Sequence, residues 1–198
     1  MQQNTAESLS DEDIRTEEIR SPDGQLLKIV SMKGEKLHGP FIGYDDQGNI
    51  SQKLNYIEGA LDGSAEFYNA GEIHMQANFS NGILDGPAIL FDNGIKSSEM
   101  NFKNGQIDGI FTSFDSNGRV IRQSQYMDGK MEGPCTAYYP DGVIQEQSTY
   151  ANNKLHGEIR RYYPSGALLE ISYFEEGRPI GYVDTYDENG NLVSSKEV

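Results

Sequence analysis

The sequence predicts an all-β fold: an elongated, twisted, single-layer antiparallel sheet of stacked β-hairpins. One glycine recurs every 23 or 24 residues, and we call these the turn glycines: Gly24, Gly48, Gly71, Gly94, Gly118, Gly142, Gly166 and Gly190. A second column, the strand glycines, keeps step with the first: Gly39, Gly63, Gly86, Gly109, Gly133, Gly157 and Gly181. Two glycine columns in step over most of the chain indicate a repeat array, in which each repeat is one supersecondary unit.

The turns give the second indication of hairpins. Asx–Gly dipeptides lie at five of the turn glycines, at Asp23-Gly24, Asn93-Gly94, Asn117-Gly118, Asp141-Gly142 and Asn189-Gly190. Such dipeptides favour tight hairpin turns because these turns require positive φ. We therefore expect one hairpin in each repeat.

Columns of apolar and aromatic residues define the expected core. Positions two, six and eight residues after each turn glycine are mostly apolar or small, and even offsets share one face of a strand. The seventh position carries amides or hydroxyls and is expected to meet water. On the other strand, apolar residues lie two after each strand glycine and aromatics lie five after it. We expect these aromatic columns to be mostly core, with the strand glycines leaving room for the rings.

Residues 1–13 are polar and acidic, and they predict a disordered tail. Residues 14–198 form the array, with about seven to eight units including degenerate end units. The first unit has Arg20 where other units carry an aromatic residue. Asn153 replaces a loop glycine, and asparagine tolerates the left-handed backbone that this position requires.

The stretch from Met127 to Gly142 summarises the repeat: a loop, a glycine, an apolar residue, an acid, the strand glycine, a strand, two tyrosines and the turn. This pattern resembles the MORN repeat, in the bacterial variant seen in the YwqK-type antitoxin family, over about residues 22–198. The resemblance implies a repeat fold and neutralisation of a cognate toxin by direct binding. Leucine-rich repeats have a similar period, but their leucine ladder with its buried asparagine is absent.

The charge favours some partners over others. The formal net charge is −15, from 31 acids and 16 bases. Nucleic acid and anionic membranes are therefore poor partners, whereas a basic protein is favoured. Alternatively, the acids keep an exposed sheet soluble and protect its edges. With one cysteine, no membrane-length apolar run and no secretory signal, the expected location is the cytoplasm.

We find no pattern that carries a reaction. Nucleotide-binding motifs are absent, and the three histidines are expected to lie far apart, so no metal site is predicted. Cys135 lies in an apolar column, which favours a buried residue over a nucleophile. The acids recur with the repeat, so no catalytic pair stands out. We expect no enzyme and no cofactor.

The candidate partner-binding residues come from the loops and from departures from the repeat. The loop acids are Asp62, Asp85, Asp108 and Glu132. Tyr139 and Tyr163 occupy the sixth position after a strand glycine, which holds Asp45, Asn69, Asp92 or Asp115 in other repeats, and Arg160 and Arg161 lie nearby. The competing interpretation of this group is an edge patch made by packing.

Two functions follow from these observations. The first is a protein-binding module, more narrowly an immunity protein or antitoxin that binds a cognate toxin and is a monomer when free. The alternative is a structural scaffold that self-associates through its end strands, since exposed terminal strands invite pairing. Lipid binding is less favoured because of the negative charge.

Overall fold

The computed structural model describes residues 14–198, and the predicted tail over 1–13 lies outside this range. The chain divides into two compact units, the first ending at Ile83 and the second beginning at Leu84. All regular structure in residues 14–198 is β-strand, which confirms the predicted all-β class. No helix in this range is long and apolar enough to span a membrane.

The first unit contains seven strands: β1 (Ile14–Arg20), β2 (Leu26–Lys33), β3 (Lys36–Tyr44), β4 (Ile50–Ile57), β5 (Ala60–Leu61), β6 (Gly63–Asn69) and β7 (Glu72–Ser80). Every pairing within it is antiparallel. The two-residue strand β5 and the longer β6 follow one another along β4.

The second unit continues the same plan. Its strands are β8 (Ile83–Asp92), β9 (Ile95–Lys103), β10 (Gln106–Ile107), β11 (Gly109–Phe114), β12 (Val120–Met127), β13 (Lys130–Tyr138), β14 (Ile144–Ala151), β15 (Lys154–Leu155), β16 (Gly157–Tyr162), β17 (Leu168–Glu175), β18 (Arg178–Tyr186) and β19 (Leu192–Glu197). These strands again pair antiparallel, and they form an open sheet of successive hairpins, as predicted.

The buried face of both units carries the predicted columns at the sixth and eighth positions after the turn glycine, and we use that name for this face. The second position was predicted to share it, but it pairs with the other face's aromatic residues, as Ile144 does with Tyr138. The sixth position after each turn glycine is buried in seven successive repeats: Val30, Leu54, Ala77, Met100, Ser124, Ser148 and Ser172. Each residue opposes the second position after a strand glycine, as in the pairs Phe41 with Leu54 and Ile159 with Ser172. The buried members of this opposing column are Phe41, Ala65, Ala88, Cys135 and Ile159.

The turns differ from the sequence prediction. Of the five Asx–Gly dipeptides, only Asn93-Gly94 has positive φ at both residues. The other four lie in five-residue connections, such as 115–119, where Gly118 N donates to Asp115 O over 2.9 Å and only the glycine has positive φ. Two-residue turns with both φ positive occur instead at 58–59, 70–71, 81–82, 93–94, 104–105, 128–129, 152–153 and 176–177.

The second aromatic column lies on the face opposite the buried column, because each member is three residues beyond the buried position on the same strand and side chains alternate. Residues of β3, β11, β13, β16 and β18 shift register just before the connection, as between Ser113 and Phe114. The column is Tyr44, Tyr68, Phe91, Phe114, Tyr138, Tyr162 and Tyr186, and its members are half-buried. Tyr138 Oη donates to Gln123 Oε1 over 3.2 Å, and Gln123 alternates with buried Ser124. This column therefore belongs to the polar face, not to the core as predicted.

The strand glycines also serve a different purpose from the one predicted. All seven have positive φ, between 71° and 106°. A Cβ at Gly39 would meet Ser31 Cβ at 3.2 Å, and one at Gly157 would meet nothing within 4 Å. Backbone conformation, rather than room for a ring, is thus what requires glycine here.

Candidate protein-binding site

The four loop acids are half-buried at the hairpin ends, where each binds the next turn. Their carboxylates accept the N–H of a positive-φ residue: Asp62 from Asn81 (3.0 Å), Asp85 from Asn104 (3.1 Å), Asp108 from Asp128 (3.4 Å) and Glu132 from Asn152 (2.8 Å). The residue after each donor gives its own N–H to the carbonyl of the preceding loop, as from Gly105 to Leu84 over 2.8 Å. We call this pair of hydrogen bonds the turn clamp.

The turn clamp gives these acids a structural role, because it satisfies two backbone donors that a tight turn leaves outside the ladder. Their charge is not compensated, however. None of the four carboxylates forms an ion pair with another residue in 14–198. Asn153 extends the clamp, since its N–H donates to Met131 O while its Oδ1 accepts from Met131 N over 2.7 Å. Its φ of 68° confirms the left-handed backbone predicted there.

Tyr139 and Tyr163 lie at the turn end of the sheet and each reaches the next repeat. Tyr139 Oη donates to Tyr162 O over 2.8 Å, and Tyr163 Oη donates to Tyr186 O over 2.9 Å. Where the same position is aspartate, the side chain instead caps its own connection: Asp115 Oδ1 accepts from Asn117 N and Arg119 N. Each tyrosine therefore bonds to the next repeat instead of capping its own connection. This is a packing role, as in the alternative interpretation of these residues as an edge patch.

Arg160 and Arg161 lie on opposite faces of β16, because successive side chains of a strand alternate. Arg161 is on the buried face, where its Nε is 3.0 Å from Glu146 Oε2 and its Nη1 is 2.7 Å from Glu170 Oε1. Arg160 is on the polar face, where it pairs with Glu158 at 2.5 Å. The structure thus does not bring the two arginines and two tyrosines together as one surface.

A different group lies on the polar face of β16, β17 and β18, and we call it the Tyr–Arg patch: Glu158, Arg160, Ile171, Tyr173 and Tyr182. In the register of β16 and β17, Glu158 opposes Tyr173 and Arg160 opposes Ile171. Tyr173 Oη donates to Glu158 Oε2 over 2.9 Å. The side chains of Tyr173 and Tyr182 remain 41% and 53% exposed. The patch therefore joins large exposed rings to a fixed cation.

Hydrogen bonding and charge explain the pKa shifts within the Tyr–Arg patch. The Glu158 carboxylate raises the pKa of Arg160, chiefly through its charge. Its hydrogen bond with Tyr173 raises the pKa of that phenol. Both groups therefore keep their protons near neutral pH, so the patch presents a guanidinium and a neutral phenol.

A break in two columns marks this patch in the sequence. The seventh position after the turn glycine is Ser in the first repeat, Asn, Gln or Thr in the next five and Tyr173 in the seventh. The fifth position is Ile29 in the first repeat, polar in the next five and Ile171 in the seventh. Arg160 was among the predicted site residues, whereas its neighbours Ile171 and Tyr173 were not, because these two breaks lie away from the turns.

The described part of the chain also contains metal-ligating and nucleophilic side chains. No group of three or more His, Cys, Asp or Glu side chains in 14–198 could hold a metal ion. Cys135 is buried, as predicted, with its Sγ 3.2 Å from Ser124 Oγ. Surface depressions such as the one lined by Pro87, Ile89 and Ile110 are shallow.

Comparisons with known proteins support the repeat. A family model described as the MORN repeat variant matches residues 37–58, 131–152 and 155–176, about a third of the chain. Each match begins at a loop apolar residue (Leu37, Met131 or Leu155) and spans one hairpin with its turn. These segments are therefore similar to MORN repeats, and such repeats suggest a binding module.

Two further comparisons add little. No curated protein matches the sequence. Among solved structures, the crystal structure of accessory secretory protein 1, 2 and 3 in Streptococcus pneumoniae is similar at 17% identity and a TM-score of 0.24. The match covers 60% of this chain and 20% of that one, and so low a score does not establish a shared fold.

Proposed function

We propose that this chain is a non-catalytic protein-binding repeat module and, more narrowly, an immunity protein or antitoxin that neutralises a cognate bacterial toxin by direct binding. The observation that carries the proposal is the Tyr–Arg patch, where the repeat gives way to exposed rings beside an arginine. Tyrosine and arginine are enriched among residues that dominate binding energy at protein interfaces. A strand-borne patch also loses little conformational freedom on binding.

Charge supports a basic partner. The net charge is −15, and the clamp acids keep their charge uncompensated by any cation in residues 14–198. Such a surface speeds encounter with a basic protein and repels polyanions. A toxin that acts on nucleic acid would present a basic cleft, which this chemistry fits.

The test is to mix the protein with the product of a neighbouring toxin gene and measure binding by calorimetry. We expect a complex at micromolar concentration or tighter, and no complex at that concentration would contradict the proposal. Tyr173→Ala should weaken binding by about tenfold or more, the usual effect of removing an interface hot spot.

Thr149→Ala is the matched control, because Thr149 occupies the same position one repeat earlier and is exposed. It should leave the dissociation constant within about twofold of the wild-type value. Equal losses for the two variants would exclude the Tyr–Arg patch as the binding site.

A further inference from the structure

Each end of the described chain presents a strand with one partner. Within residues 14–198, β1 hydrogen-bonds with β2 alone and β19 with β18 alone. The outer side of each strand therefore offers a row of backbone donors and acceptors, which other strands can use. The register between successive repeats indicates which strand could pair with each of these edges.

That register is the same at every junction for which these pairings occur. The sixth position after a turn glycine opposes the second position after the next strand glycine, as in Val30 with Phe41 and Ser124 with Cys135. The fourth positions oppose one another, as Glu146 does Arg161. The fifth opposes the third, as Lys53 does Glu66.

Applied to the end strands, this register brings two charges together. The sixth position after Gly190 is Lys196, which opposes Val183 on the buried face. In β1 the corresponding second position is Glu17, which opposes Val30. These two positions hold apolar or small residues in most other repeats, so a lysine at one end and a glutamate at the other are departures.

We propose that β1 of a second copy of this chain pairs antiparallel with β19, continuing the repeat register so that Glu17 opposes Lys196. The same register places Ile19 opposite Ser194 and Glu18 opposite Ser195. Opposite charges already join successive repeats within the chain, where Lys53 Nζ lies 3.3 Å from Glu66 Oε2 and Arg161 Nε 3.0 Å from Glu146 Oε2. The contact is head-to-tail, and therefore heterologous.

Charge distinguishes this arrangement from the other edge pairings. Two β1 strands paired with one another would bring together the carboxylates of Glu17 and Glu18, and like charges directly opposed destabilise a sheet. Glu17 already pairs with Arg15 of its own strand, whereas Lys196 has no ion-pair partner in residues 14–198, so an unrelated strand would leave Lys196 unpaired. Head-to-tail pairing gives Lys196 a carboxylate partner, and it departs from the monomer expected from the sequence.

The test is sedimentation velocity of the 198-residue chain over a micromolar to millimolar series. The wild-type chain should associate reversibly as its concentration rises. Lys196→Glu alone and Glu17→Lys alone should each raise the midpoint concentration about tenfold or more, since each opposes like charges. An equimolar mixture of the two variants should restore the wild-type midpoint, and so should the double variant.

Two controls have the same charge changes at exposed positions: Lys103→Glu in β9 and Glu35→Lys in a turn. Both should leave the midpoint unchanged, and circular dichroism checks that every variant is folded. The proposal is overturned if the wild-type chain stays monomeric throughout the series. It is also overturned if the charge reversals at 17 and 196 behave like the controls or if their mixture fails to restore association.

Discussion

At the scale of single residues, the repeat reuses each position for one physical task and shows how a substitution changes it. The sixth position after a strand glycine is the clearest case. An aspartate there accepts N–H groups of its own connection, whereas Tyr139 and Tyr163 reach the backbone of the next repeat. A side chain at this position thus stabilises either its own connection, when it is aspartate, or the contact between two successive repeats, when it is tyrosine.

Asp115 gives a pH-dependent prediction. Its carboxylate accepts hydrogen bonds from Arg119 Nε over 2.8 Å and from two backbone N–H groups, and these lower its pKa from 3.8 to about 2. A pKa depressed by folding stabilises the protein above the unfolded value, and this contribution is lost as pH falls from about 4 towards about 2. Asp115→Asn should therefore lower the melting temperature at pH 7, with the difference from wild type shrinking over that acid range.

Thermal denaturation followed by circular dichroism at a series of pH values measures this difference. Asp46→Asn is the control, since Asp46 is exposed and its carboxylate has no hydrogen-bond partner in the described chain. A difference for Asp115→Asn that stays constant down to pH 2 would show that the carboxylate charge contributes nothing.

At the scale of elements, the turn clamp joins successive hairpins at four turns. Glu132→Ala removes the acceptor for Asn152 N and should cost about 1–3 kcal/mol, the range for losing a hydrogen bond to a charged group. Glu132→Gln keeps an acceptor and should cost less. Glu35→Ala, at an exposed turn residue, should be nearly neutral.

Urea denaturation gives the free energies, and hydrogen exchange of the Asn152 amide reports the clamp directly. We expect that amide to exchange faster in Glu132→Ala while amides of β2 and β3 are unaffected. Unchanged protection at Asn152 would contradict the clamp.

The strands, repeats and buried columns could be predicted because glycine spacing and period-two alternation are local in sequence. The same alternation places Tyr68, Tyr138 and Tyr162 on the polar face, three residues beyond a buried position. The face of their partners Ile73, Ile144 and Leu168 could not be predicted, because a register shift on the second strand breaks the period of two there. The sequence does distinguish the connections: eight residues separate Gly63 from Gly71, whose turn is tight, and nine separate Gly133 from Gly142, whose connection is longer.

The candidate site was harder to predict than the fold. Partner contact by the loop acids stays a prediction. Their bonds to Asn81, Asn104 and other turn residues join positions about twenty apart, and spacing alone does not reveal them. Arg160 and Arg161 are adjacent in sequence and separated by the sheet. Tyr173 and Ile171 belong with Arg160 only because of the β16–β17 register.

At the scale of the whole molecule, the dominant property is a net charge of −15. Its ion pairs in residues 14–198 are mostly exposed, and exposed pairs contribute little to stability. Repulsion among the excess acids should therefore outweigh them at low salt. Added NaCl should raise the melting temperature by about 2–4 °C, equivalent to about 1 kcal/mol of screened repulsion.

Calorimetry at low and at physiological ionic strength measures this shift. A glycerol series of equal osmolality is the control, because it changes water activity without screening. A melting temperature that falls as salt is added would mean that the ion pairs, and not the excess acids, govern the electrostatic stability.

The turn clamp has a consequence for how such a chain lengthens. Each clamp takes its donors from one repeat and its acceptors from the repeat before it, so the four clamped junctions are chemically alike. Gene duplication of one whole period inserts a segment that arrives with its own acid and its own pair of donors. A duplication of any other length leaves turn amides without acceptors where the inserted segment meets the original chain. The backbone chemistry therefore permits growth by full periods.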